Sequence, residues 1–566
     1  MFTRLMLIVA VTVVAAGPAV DDLIRDLRTG TPQQQVAAAD QLARLGAAAK
    51  PAIPAMLDAM ASKSPWVSLA MMDTLAELHT VSLPILTEMF QQGDITNRLR
   101  VVRVFWSMGA RAKEVRPLIV KALEDKDAEM RRRAQMTLTK IDAELAEATV
   151  AAPVRAAKRI AGAAPTRSRD WPGFRGPNRD GLCTESKLLH QWPADGPKLL
   201  WQLDSLGRGH STIAIANGRF FTTGDRDKSQ YVLAYDLSSH AELWNVHIGG
   251  AYPEYGALST PTVVGDALYV LSTDGNLLHL EAATGKIRWQ HNLTNEFAGK
   301  MMSAWKYSES PLVDGDRVIV TPGGKDAMMV AFHKDTGALL WKCAIPALGE
   351  RGSDGAAYSS AIVADIAGVR QYVQVVGRGV IGVAADTGRF LWGYNRLGNT
   401  IASITSPIAR GNYVFTANSY NTGSALLEIK RSGDKWQAAE AYVLPAKTFE
   451  NHHGGVVLVG DHLYGGSGLN KGDPACIEFA TGKVLWKPKA PAAGSACVLY
   501  ADGHLIFRYD RGLVILVEAN PKEFRVKSQF VPPRTNAPAW AYPVIHQRKL
   551  YLRDQNLLLC YDLSRT

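Results

Sequence analysis

The most chemically loaded phrase in this chain is Asn451-His452-His453-Gly454-Gly455, two imidazoles beside glycines that let a ligand or another backbone come close. Adjacent residues on an extended strand point to opposite faces, so His452 and His453 do not chelate one metal together. One of them can instead meet His210, which occupies the matching place in another repeat, across a channel. Ligand binding and hydrogen-bonded structural roles both remain open for these three, and no metal site is assigned. Ser308-Glu309-Ser310 places a carboxylate at a further opening, with Lys325 and Asp326 in the same unit. Glu309 beside a histidine makes an acid/base pair, and without one it is an ion-paired or solvated channel residue. Tyr358 and Trp540 add flat surfaces near other openings. The candidate ligand-binding set is therefore His210, Glu309, Lys325, Tyr358, Asn451, His452, His453 and Trp540, with no catalytic residue assigned.

Other familiar chemistries fail on spacing. Gly377-Arg378-Gly379-Val380-Ile381-Gly382 has the glycine pattern of a dinucleotide loop but leads into a strand, and Gly323-Gly324-Lys325-Asp326 lacks the hydroxyl residue that follows a phosphate-loop lysine. The five cysteines (Cys183, Cys343, Cys476, Cys497, Cys560) include no C-x-x-C or adjacent pair, which removes redox, haem-attachment and zinc-ribbon readings. Cys343, Cys476 and Cys560 lie in apolar, strand-like surroundings and read as small buried hydrophobes.

A long repeat must position these residues. Trp244, Trp289, Trp341, Trp392, Trp436 and Trp486 recur at 44 to 52 residues, about one four-stranded propeller blade. Four of them close the phrase Thr-Gly-x-x-x-Trp, at Thr284, Thr336, Thr387 and Thr481. The glycine reads as a turn residue at positive φ and the indole as filler between blades. Units one and five lack Thr-Gly and unit seven lacks the tryptophan too, so looser packing is expected there. Eight unit openings, from His210-Ser211-Thr212 to Ala541-Tyr542-Pro543, predict eight blades. The eighth has no tryptophan of its own, whereas Gly196-Pro197-Lys198-Leu199-Leu200-Trp201 precedes the first opening. The segment around Trp201 is thus expected to close the ring. Trp201, Trp244, Trp289, Trp341, Trp392, Trp436 and Trp486 are the predicted blade-packing residues.

Residues 1–20 carry Arg4, an apolar run and small residues suited to cleavage, which reads as a signal peptide of a periplasmic or secreted protein. The run is short for a membrane span and no cysteine follows closely enough for lipidation, so the mature chain is not expected to be transmembrane. Residues 21–145 show helical periodicity with Leu45, Leu78 and Met108 ending helices and Pro54, Pro84 and Pro117 following, a 30 to 33 residue spacing like HEAT-type helix pairs. Residues 146–170 read as a linker, 171–195 as a lead-in segment and 196–566 as the propeller. The net charge of +10 is concentrated between Arg98 and Arg169, with 17 Lys/Arg against 8 Asp/Glu. In an exported chain this points away from nucleic acid, toward an acidic partner, an anionic envelope surface or solvent.

The Thr-Gly-x-x-x-Trp phrase at this period resembles the repeat of PQQ-like eight-bladed propellers, and Asp170-Trp171-Pro172-Gly173-Phe174-Arg175-Gly176-Pro177-Asn178-Arg179-Asp180-Gly181 is similar to the lead-in of exported bacterial PQQ-binding-like proteins. The resemblance implies a mainly β, eight-bladed propeller preceded by a small α-helical domain. Two functions come with it: quinoprotein alcohol dehydrogenases using pyrroloquinoline quinone (PQQ) and calcium, and BamB-like scaffolds of outer-membrane assembly. The soluble dehydrogenases of this type carry an adjacent cysteine pair that this chain lacks, and BamB-like proteins are lipidated. The favoured expectation is a non-catalytic binding or scaffold protein without cofactor, engaging an envelope or secreted partner. A PQQ-dependent dehydrogenase or other small-molecule enzyme is the alternative, with carbohydrate binding at the channel mouth between the two.

Overall fold

The computed structural model describes residues 20–62, 64–149, 170–535 and 537–565. The expected signal peptide lies outside the described residues except for Val20, as does most of the expected linker, whose first residues continue the helix Ala128–Thr149. The chain divides into two compact units near residue 153.

The first unit is helical throughout. Pro32–Leu45, Pro65–Glu77, Ile95–Met108 and Ala128–Thr149 stack side by side, joined by 3₁₀ and α turns. Thr31 and Gln34 form a capping box on the first of these, and Asp94 caps the third through the Asn97 amide at 2.8 Å. Gly46 and Gly109, both at φ +55, end two helices and open the equivalent 3₁₀ turns Gly46–Ala52 and Gly109–Val115. Neighbouring helices are tied at a spacing of 35 residues, where Thr74 donates to the Ala39 carbonyl and Thr137 to that of Val102. Among the described residues no helix is long and apolar enough to cross a membrane.

The second unit is an eight-bladed propeller. Seven sheets follow in sequence order over 214–250, 262–292, 312–343, 362–394, 408–444, 456–486 and 496–530, each four-stranded except the last, which takes the earlier strand Leu182–Cys183 as a fifth, and the eighth is built from Val544–His546, Lys549–Asp554, Leu557–Asp562 and the earlier strand Leu199–Leu203. Leu199–Leu203 pairs antiparallel with Leu557–Asp562, so the ring closes as the Trp201 phrase predicts. The first strand of each blade lies innermost. The apolar cores sit in the seams, each shared by neighbouring blades.

The tryptophan phrase is a two-sided joint. Every outermost strand has an extra residue opposite its partner, at Leu200, Leu243, Arg288, Leu340, Leu391, Ala441, Leu485 and Lys527, and blade one has a second at Ile248. These bulges turn the following side chain into the seam and disrupt the ladder on an exposed edge. The indole then meets the glycine of the next blade: a Cβ at Gly285, Gly337 or Gly388 would lie 2.5–2.8 Å from Trp244, Trp289 or Trp341. The indole N–H donates to the carbonyl two residues before that blade's threonine, at Ala282, Lys334 and Ala385 respectively.

Three units depart from this plan. Trp392 donates to Gln371 of its own blade, because blade five offers no Thr-Gly turn to receive it. Trp436 is not the residue after the bulge. Tyr442 is, and it packs under Gly482 while Trp436 packs against the blade four and five core. The looser packing expected of unit seven is not found. Ser528 stands at its indole position and receives the backbone N–H of Trp192, whose ring fills the seam edge-on to Phe530 at 5.4 Å. All five cysteines are buried and unpaired in disulfides.

Candidate functional site

The loops joining one blade to the next all reach the amino ends of the innermost strands, which is where the sequence-derived candidates fall. Trp540, entering blade eight, is the hub. His453 stacks on it at 4.4 Å and an interplanar angle of 5°, His210 lies 4.5 Å away, and Tyr255 at 6.0 Å. These four come from the loops before blades eight, six, one and two, and together they stopper the axis. His452 keeps ring contact with His453, centroids 4.0 Å apart at 65°, so the opposite-face arrangement expected of neighbours on a strand does not hold in this loop, which precedes the strand Val456–Val459. The Nε2 of His452 meets the Tyr420 hydroxyl at 2.9 Å and its Nδ1 meets Ser495 Oγ at 2.9 Å. This chain has the hydroxyl–imidazole contacts of a nucleophile and base, but Ser495, His452 and Tyr420 are all buried and a phenol stands where a carboxylate would hold the imidazolium. Burial pushes the pKa of His452 and His210 well down, and that of His453 to about 4, so all three are neutral near pH 7.

The remaining candidates do not join this cluster. Glu309 is buried against blade three, accepting from the Thr321 amide at 2.7 Å, the Thr321 hydroxyl at 3.1 Å and Gln374 Nε2 at 2.9 Å. Burial raises its pKa to about 7, with the nearby Arg179 charge acting against the rise. Asn451 braces loops, receiving the Thr405 hydroxyl and donating to the Gly455 and Gly466 carbonyls. Tyr358 bonds Ser303 and the Trp305 amide and stands edge-on to Trp305 at 5.7 Å. Lys325 is exposed on a turn of blade three, apart from the others.

Four buried arginines are the residues that sequence reasoning missed. The lead-in segment runs along the channel: Trp171 bridges to Ile215 of blade one, Leu182–Cys183 pairs parallel with Tyr500 and Ala501 of blade seven, and Phe174 packs edge-on to Tyr542 of blade eight. Arg175 donates to the Val456 carbonyl, and Arg179 to those of Ser310 and Pro311. Arg553 donates to Gln555, Ser211 and Thr223 carbonyls, and Arg508 to that of Ala541. Arg175 and Arg179 donate to carbonyls on or just before innermost strands, which are sheet edges there, while Arg553 ties its own hairpin turn to blade one. Burial lowers the pKa of Arg179 to about 10 and of Arg553 to about 9, yet both stay charged at neutral pH. A lone arginine closing an apolar strand, as in Ile506-Phe507-Arg508 and Tyr551-Leu552-Arg553, was the available signal.

These residues do not fit a calcium-bound quinone. Calcium takes six to eight oxygen ligands, whereas neutral imidazoles, an indole and guanidiniums meet at this axis. Among the described residues no three His, Cys, Asp or Glu side chains are grouped to hold a metal.

Residues 228–488 match the family described as "Outer membrane protein assembly factor BamB". The chain is 30% identical over 142 residues to BamB of Salmonella typhimurium, covering 24% of this chain and 31% of that protein. It is 29% identical over 126 residues to quinohemoprotein alcohol dehydrogenase ADH IIB of Pseudomonas putida, covering 20% and 17%. The matches thus span about a third or less of those relatives. Among solved structures, quinohemoprotein alcohol dehydrogenase ADHIIG from Pseudomonas putida superposes with a TM-score of 0.51 at 14% identity, over 72% of this chain and 83% of that one, a likeness of fold. With its Thr-Gly-x-x-x-Trp seams, eight closed blades and this match, the C-terminal part of the chain is similar to the BamB-like propellers built from the PQQ-type repeat.

Proposed function

We propose that this is an exported, non-catalytic scaffold of the cell envelope, which binds partner proteins through the surfaces of its propeller and helical unit. One observation carries the reading: the chain's own side chains meet around the axis, Trp540 stacking with His453 and His210 and, close by, Arg175 and Arg179 bonding the carbonyls of Val456 and Ser310. A dehydrogenase of the quinoprotein kind needs that axis for cofactor, cation and substrate. A scaffold needs only a rigid ring and accessible loops. The assembly-factor description of the BamB relatives agrees with this reading and suggests outer-membrane assembly as the setting.

The test is titration of the mature protein with PQQ and calcium, followed by absorbance and native mass spectrometry, beside the His452→Ala/His453→Ala variant and dye-linked alcohol and aldose assays. The expected result is no stoichiometric uptake and no turnover. Stoichiometric binding lost in the variant, with dye reduction by the wild type, would overturn the scaffold reading in favour of the enzyme. Photocrosslinkers placed in the loops 251–261 and 395–407 of the exported protein should yield discrete protein adducts; their absence from every loop tried would also count against it.

A further inference from the structure

On the side of the propeller opposite the Trp540 hub, each innermost strand passes into a hairpin turn. At three seams the feet of neighbouring blades are tied together there. Asn217 of blade one donates to the Gly265 carbonyl of blade two at 2.9 Å, Asn412 of blade five accepts the Ala367 amide of blade four at 2.8 Å, and Arg410 of blade five meets Asp461 of blade six at 3.0 Å. Between blades three and four a longer bridge takes the place of such a tie. Arg370 of blade four reaches Asp314 of blade three through Nε at 2.9 Å and a second nitrogen at 2.6 Å, and the Tyr372 hydroxyl donates to the same carboxylate at 3.0 Å. A cavity of about 400 Å³ opens at this seam, and its charged lining is Asp314, Arg317, Arg370 and Asp386. The turn glycines Gly315 and Gly368 bring no side chain into it, and a Cβ at either would meet nothing within 4 Å.

The lining selects by charge and by hydrogen bonding. Both guanidiniums are already ion-paired, Arg370 with Asp314 and Arg317 with Asp316 at 2.6 Å, and Asp365 stands a further 3.5 Å from Arg370. With Asp386, four carboxylates surround two guanidiniums, which disfavours an anionic ligand. Among the described residues no three of these carboxylates are grouped to hold a metal. Hydrogen-bonding capacity remains nevertheless. Arg317 is bonded through one nitrogen, and Asp386, which is exposed, accepts from the Thr387 hydroxyl at 3.2 Å. A hydroxyl both donates and accepts, so a neutral ligand rich in hydroxyls uses the carboxylate and the guanidinium together. Val369 and Ala385 add a small apolar surface for ring C–H groups, and no aromatic ring lines the cavity for a flat conjugated ligand to stack on. The volume lies toward the lower end for ligand pockets, which suits one or two sugar rings.

We propose that the cavity between the turns of blades three and four binds a free, uncharged saccharide of one or two rings, its hydroxyls donating to Asp386 and accepting from Arg317. The site lies away from the axis, so it and the scaffold reading stand or fall separately.

Saturation-transfer NMR of the full mature chain with D-glucose, D-galactose, D-mannose, N-acetyl-D-glucosamine and maltose tests it. Transfer to at least one of these sugars is expected, with little to the anionic D-glucuronate. No transfer to any of the neutral sugars would overturn the proposal. Arg317→Ala/Asp386→Ala should bind the responding sugar about ten-fold more weakly or worse, as the loss of hydrogen bonds to charged groups predicts. Val369→Trp, which fills the cavity, should abolish binding. Lys522→Gln, a change on an exposed turn of blade seven, should bind as the wild type does. Unchanged affinity in either the double variant or Val369→Trp would put the sugar elsewhere and sink the idea. Should these variants fail to fold by circular dichroism, hydrogen exchange on the wild type decides. The sugar must slow exchange within 314–317 and 366–370, and protection confined to other segments would overturn the assignment.

Discussion

The buried titratable groups of the propeller act on stability in opposite directions. His453 titrates near 4 in the folded chain and an unfolded histidine near 6.5, so the unfolded state binds the extra proton between those values. Stability contributed by neutral His453 is therefore lost as pH falls from about 6.5 toward 4, at up to about 1.4 kcal/mol per pH unit. His210 and His452 are lowered in the same sense and by the same cause, burial. Glu309 behaves in reverse. Its folded pKa of about 7 lies above the ordinary 4.5, so the folded state holds the proton and stability is lost as pH rises between those two values. Burial likewise raises Asp180 and Asp225 and lowers His240, His279 and His504, so six lowered histidines stand against three raised carboxyls in the propeller, and the net expectation is acid destabilisation. Urea unfolding of the propeller between pH 4.5 and 7.5 should show this slope, flattened in His453→Phe and steepened in Glu309→Gln. A wild-type profile independent of pH would contradict the burial of these groups as neutral species.

The blade joint asks two things of one glycine, a positive φ and no side chain against the neighbouring indole. Gly388 has φ +70, and a Cβ there would lie 2.5 Å from Trp341. Gly388→Ala should accordingly cost about 2–4 kcal/mol, from the left-handed backbone and the overpacked seam together. Trp341→Ala empties the same joint from the other side and should cost roughly 3–5 kcal/mol as a buried aromatic truncation. Blade five separates the motif from its role. Tyr442→Ala should destabilise more than Trp436→Ala, because Tyr442 lies beneath Gly482 and is 8% exposed, whereas Trp436 is only partly covered. Thermal melting of the four variants checks the order, and a larger loss from Trp436→Ala would mean that the seam is wrongly assigned.

Closure of the ring is a property of the molecule entire. The strand Leu199–Leu203 occupies the edge of blade eight, and Trp201 packs toward Phe220 and His240 of blade one, so removing it exposes one sheet edge and opens one seam. Deletion of 196–201 should replace a cooperative melt by a broad, lower one with aggregation, read by calorimetry and light scattering; an unchanged melt would count against closure by this strand. The lead-in segment is held as firmly at its outer end. Glu185 accepts the Gln547 and Arg548 amides, and Asp502 accepts the Leu188 amide and His190 Nε2 at 3.0 Å. One stretch of chain thus plugs the axis, fills the seven–eight seam with Trp192 and feeds the closing strand.

Blade number, ring closure and the seam role of most tryptophans were legible from residue order, because one repeated joint imposes one repeated phrase and φ preference and side-chain volume are properties of single residues. The same local logic marked the helix ends at Leu45 and Met108, where a glycine follows. Contacts between residues far apart were not legible. Nothing in the neighbours of Ser528 announces that Trp192, 336 positions earlier, bonds it, nor that Arg175 reaches the carbonyl of Val456, 281 positions on. His210, His453 and Trp540 each came forward as isolated residues at unit openings; their gathering around one indole, and the separation of Glu309 and Lys325 from them, follow from where eight blades place their loops around an axis. Local sequence sets which backbone turns and which side chains are on offer, and closure of the ring sets which of them meet.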